Sequence, residues 1–158
     1  MALFGIGKRK KVAETASGGL APQPRTAAAS RTEQPVAAPK PTLPPALPIA
    51  SREEAAKALD AVGDLQRRFE TGDMSDSELG ALGDEAASRV QGVVDYFIAQ
   101  GMEINLYSQV VEPMAAWAIG NLSPMWIMDQ GATPRTAAAK HSYFVIAELM
   151  TKYERLKP

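Results

Sequence analysis

The chain has 158 residues, of which 17 are basic and 18 acidic, with one histidine and no cysteine. That length fits one domain, and the lack of thiols excludes disulfides, thiolate metal sites and cysteine nucleophiles while suiting a reducing compartment. The near-neutral total hides an asymmetry. Residues 1–50 carry seven basic side chains (Lys8, Arg9, Lys10, Lys11, Arg25, Arg31 and Lys40) against Glu14 and Glu33, leaving ten basic and sixteen acidic in 51–158, or +5 set against −6. A basic arm on an acidic body is the pattern of a tail that meets nucleic acid, anionic lipid or an acidic protein surface.

At the N-terminus the apolar residues Leu3, Phe4 and Ile6 precede the cluster Lys8-Arg9-Lys10-Lys11. A secretory signal has the reverse order and a longer apolar run, and with Gly at 5 rather than 2 there is no myristoylation signal, so a cytoplasmic location is expected. The cluster is suited either to anionic headgroups, with the apolar residues as a plug at a membrane surface, or to phosphates of nucleic acid, together with Arg25, Arg31 and Lys40. Residues 1–50 hold eight of the twelve prolines and one aromatic. Such a segment buries too little surface to offset ordering its backbone, so a disordered, Pro/Ala-rich basic arm is predicted. From Pro35 to Pro48 it reads as a polyproline II spacer.

Regular structure is expected from Ser51. Ser51 to Glu54 forms a capping box, and Ala55, Ala58, Leu59, Val62, Leu65 and Phe69 recur at helical spacing up to a stop at Thr71-Gly72-Asp73. A second box, Ser75 to Glu78, opens a helix with Leu79, Leu82, Ala86, Val90, Val93, Val94 and Phe97 on one side and Gly101 as its stop. Gly80, Gly83 and Gly92 inside it imply close approach of a neighbouring helix.

The chain is organised around Tyr96–Met128, which holds both tryptophans and four of seven methionines; from Pro113 to Met128 it carries no charge. Sixteen uncharged residues fall short of the roughly 20 that span a bilayer, and Pro113, Gly120 and Pro124 interrupt them. The stretch therefore reads as core. Asn105 is expected to cap a helix from Leu106, which Pro113 kinks or restarts, with Met114, Trp117, Ala118 and Asn121 on one face. Ser123-Pro124 and Thr133-Pro134 each pair a cap with proline at the first helical position. In the last helix Ala138, His141, Val145, Leu149 and Leu156 form a stripe that Tyr143, Phe144, Ile146 and Met150 widen. No stretch alternates long enough for a strand. The fold class expected is all-α: a small bundle of four to five helices over 51–158, preceded by the arm at 1–50.

Chemistry is sparse. One histidine, His141, cannot build most triads or zinc sites. Glu112 and Asp129 flank the apolar stretch as surface carboxylates, and phosphate-loop, dinucleotide and EF-hand patterns are missing. No catalytic residue, cofactor or metal site is expected. Tryptophan and methionine are the residues of adaptable contact surfaces, so Met114, Trp117, Met125, Trp126 and Met128 form the candidate interface, and Lys8, Arg9, Lys10 and Lys11 the candidate contact for an anionic partner. The layout favours a non-enzymatic protein–protein interaction or assembly module, an adaptor or virion-type accessory that binds itself or another protein. The alternatives are a nucleic-acid-associated protein using the arm as an electrostatic contact, and a peripheral membrane protein held by its N-terminus.

Overall fold

The computed structural model describes residues 41–158. Five α-helices follow in order: α1 (Arg52–Glu70), α2 (Asp76–Ala99), α3 (Glu112–Asn121), α4 (Pro124–Gln130) and α5 (Pro134–Lys152). A π turn, Tyr107–Val111, runs into α3, and a 3-10 turn, Glu154–Leu156, follows α5. Among the described residues there is no strand, and no helix is long and apolar enough to cross a membrane. The fold is all-α. The first forty residues of the arm expected at 1–50, with the cluster Lys8–Lys11, Arg25, Arg31 and Lys40, fall outside the described residues.

α1 starts where its cap lies. Ser51 Oγ accepts the Glu54 N–H at 3.2 Å, while Glu54 reaches past the cap to accept the Ala50 N–H at 2.7 Å. Ala55, Ala58, Val62 and Leu65 are buried along one stripe. At α2 the box is complete, with Ser75 and Glu78 each accepting the other's backbone N–H. α2 ends in a Schellman turn: the Gly101 N–H donates to the Ile98 carbonyl and the Met102 N–H to the Phe97 carbonyl, both at 2.9 Å. This turn needs a left-handed residue, and Gly101 supplies it at φ +75°.

α2 and α5 form the most extensive helix pair, and α1 packs on α2. Leu79, Leu82, Val90, Val93 and Val94 of α2 and Val145, Ile146 and Leu149 of α5 are essentially inaccessible, each worth about 1.5–3 kcal/mol in burial. The helices approach closely at Gly83, where an added Cβ would lie 2.5 Å from Ser142 Cα. Ser142 is fully buried, yet its hydroxyl donates to the Leu79 carbonyl at 2.6 Å and accepts the Gly83 N–H at 2.9 Å. It sits inside the α2 ladder and is satisfied on both sides. This shifts the first half of α5 one residue from the expected stripe, with Ala139 and Ser142 facing the core and His141 exposed, while Val145, Leu149 and Leu156 are buried as expected. Gly80 meets only ordinary contact from Ala138.

Pro113 belongs to the first turn of α3, and the π turn precedes it. Proline has no N–H to return to the preceding turn, and its ring crowds the carbonyl four residues back. The widened turn, in which Glu112 N–H bonds Tyr107 carbonyl five residues back, accommodates it. Asn105 marks the start of this helix by a left-handed backbone, φ +65°, not by a side-chain cap.

The segment expected to be a free spacer is, over its described part, seated on α2. The Leu47 N–H donates to the Ser88 carbonyl at 2.8 Å, and Leu43, Leu47 and Ile49 pack against the core. The ordered body thus begins before Ser51, by at least ten residues that form neither helix nor strand. A Pro-rich segment with no internal hydrogen bonds gives no local sign of the surface that will hold it.

Candidate functional site

The five candidate interface residues divide into three environments. Met114 is 3 % exposed and part of the core, which corrects its place in the candidate surface: on α3 it shares the inward face with Ala115 and Ala118. Trp117 and Trp126 are half-buried and both set their rings edge-on to Phe69 at the end of α1, with centroids 5.4 Å and 6.5 Å away. Trp117 Nε1 also donates to Glu70 Oε1 at 3.1 Å. The tryptophans therefore clamp α3 and α4 onto α1, each edge-to-face pair adding about 0.5–1.5 kcal/mol beyond burial.

Met125 and Met128, by contrast, are 77 % and 80 % exposed. α4 is a short helix of about two turns pinned by Ser123, whose Oγ accepts the Trp126 N–H at 3.3 Å, and none of its seven residues is fully buried. A helix this short has room for only one anchoring side. Trp126 and Ile127 take it, and the methionines point away. Beside them, a cleft of about 480 Å³ between α4 and α5 is lined by Ile127, Met128, Thr133, Thr136, Ala137 and Lys140. A second cleft of about 250 Å³ runs between α3 and α5 past Ile119, Tyr143 and Met150. Ile119 is 55 % exposed and was missing from the sequence-predicted set. The signal was present, since α3 is apolar on all sides and only one side of it can face the core.

His141 Nε2 and Asp84 Oδ2 meet at 3.0 Å across α5 and α2 in solvent. Glu112 and Asp129 are exposed. Tyr153 is buried, and its hydroxyl donates to Asp95 Oδ1 at 2.7 Å. Burial, then the Asp95 carboxylate, pushes this phenol far above its ordinary range, so it stays protonated and cannot act as a base at neutral pH. Gln91 joins it to Lys152, whose Nζ donates to Gln91 Oε1 at 2.7 Å. Among the described residues no group of three His, Asp or Glu side chains is placed to hold a metal ion. Compared with known proteins, the chain matches no family model, no curated protein and no solved structure.

Proposed function

We propose that this protein is a non-enzymatic assembly module whose helical body meets a second copy of itself through α4 and the adjoining α3 surface. The observation that carries this is the pair Met125 and Met128, held out in solvent on a short helix that Trp126 anchors on Phe69. Two bodies of charge −6 repel one another, so contact between copies favours a charge-poor surface, and Pro113–Met128 has no charged side chain. An isologous contact also needs a self-complementary patch. Projecting methionines next to an apolar cleft supply both halves.

Light scattering over a concentration series tests the reading. The intact protein is expected to dimerise with concentration, and Met125→Glu with Met128→Glu to keep it monomeric without loss of helicity. A strictly monomeric parent protein contradicts the reading.

A second reading rests on the +5 charge of residues 1–50: a sequence-independent contact with nucleic acid, weakening steeply as salt rises. Binding to DNA or RNA at low salt that survives removal of residues 2–11 ends it.

A further inference from the structure

The surface of α2 under Leu43–Ile49 has the properties of a peptide-binding groove. Gln91 Nε2 donates to the Pro44 carbonyl at 2.8 Å, Ser88 Oγ donates to the Pro45 carbonyl at 2.8 Å, and the Ser88 carbonyl accepts the Leu47 N–H at 2.8 Å. Gln91 is 3 % exposed, and Lys152 holds its Oε1, so the amide nitrogen is fixed toward the segment. Gly92 makes the approach possible: a Cβ there would stand 2.1 Å from the Leu47 carbonyl oxygen. This glycine serves an extended segment, not a neighbouring helix.

The ligand is matched to the groove. Pro44, Pro45 and Pro48 have no N–H, so an extended chain laid along a helix strands no donors there. Leu43, Leu47 and Ile49 supply the apolar contacts. These hydrogen bonds run to the main chain of the segment, and its side chains contribute only apolar packing, so recognition is of the polyproline type, with preformed extended chain and aliphatic anchors. None of these contacts depends on the covalent link through Ala50 to Ser51.

We propose that this α2 groove is a binding site for proline-rich extended segments, and that Leu43–Ile49 of a second copy is its ligand in trans. In the isolated chain the direct connection to α1 gives the attached segment a high effective concentration. The groove is therefore filled in cis, and exchange begins only when that segment leaves. This surface is separate from α4, and the inference does not rest on the assembly reading above.

Three full-length variants, each also carrying Met125→Glu and Met128→Glu to remove association through α4, test it. Leu47→Pro deletes the N–H given to Ser88 and vacates the groove; Leu43→Asp with Leu47→Asp vacates it without a new proline. Gly92→Ala blocks the groove and frees an intact segment, on a helix that alanine itself favours. Circular dichroism establishes that each variant keeps its helices. On mixing a groove-vacated variant with Gly92→Ala, sedimentation is expected to show a dimer-sized species that neither forms alone. Failure of both groove-vacated variants to form it overturns the proposal. So does its persistence when the groove-vacated partner also carries Gly92→Ala.

Discussion

The α1–α2 face and the α3–α4 face are both apolar, and the chain treats them differently. Over α2 it lays its own segment, with three main-chain hydrogen bonds, a buried glutamine and a glycine cut to fit. Over α4 the described chain lays nothing, and Met125 and Met128 stand in solvent while Trp117 and Trp126 beside them are anchored on Phe69. The contrast separates two uses of apolar surface. Where the fold itself needs cover, the sequence spends polar and small residues to fix the cover in register. Where, on our proposal, cover comes from a second copy, it leaves flexible, adaptable side chains.

The sharpest way to break this contrast uses one residue type within one stretch. Met114→Ala empties a core site, and chemical denaturation should show a loss of about 3 kcal/mol. Met128→Ala on the exposed side should change monomer stability by no more than about 0.5 kcal/mol. Equal effects would mean that the two methionines are not divided between core and surface as described. Next in size is Gly92→Ala. Although alanine favours the helix, displacing the Leu47 carbonyl should give a net loss of about 1–2 kcal/mol, with faster amide exchange at Leu47. A stabilised variant with unchanged exchange would show that the segment is not held by this approach.

The smallest effect lies on neither face and serves as their reference. Glu78 closes the α2 cap, and the Ser75 backbone N–H, followed by the Arg68 guanidinium, lowers its carboxyl from 4.5 to about 2. Between those values the unfolded chain binds a proton that the folded chain does not. Its contribution is complete above about pH 4.5 and is lost as pH falls toward 2. Glu78→Gln should flatten this part of the stability–pH profile, and should do so equally in variants of either face.

How much of this was legible in the sequence depends on how local the cause is. α1 and α2 are set by caps and periodicity within a few residues, and both start where Ser51 and Ser75 place them. In α5, Val145 and Leu149 were legible from periodicity, but the phase of its first half was not, because a buried Ser142 is tolerable only when α2 offers the Leu79 carbonyl and a bare Gly83. The glycines announced close approach, correctly at Gly83, but not that an extended segment would be the neighbour of Gly92. Composition picked out the methionine and tryptophan set. It could not divide Met114 from Met125 and Met128, since that depends on which side of α3 and α4 meets Phe69 and α5.

Methionine oxidation measured residue by residue tests the α4 face most directly. The intact protein, treated with peroxide at low and at high protein concentration, is digested and each sulfoxide quantified by mass spectrometry. Reactivity follows exposure, so Met114 should stay protected throughout, and Met102, 51 % exposed in the turn after α2, should react alike at both concentrations. Met125 and Met128 are predicted to react readily in dilute protein and to become protected, several-fold, in concentrated protein. Equal oxidation of Met125 and Met128 at both concentrations would contradict the account.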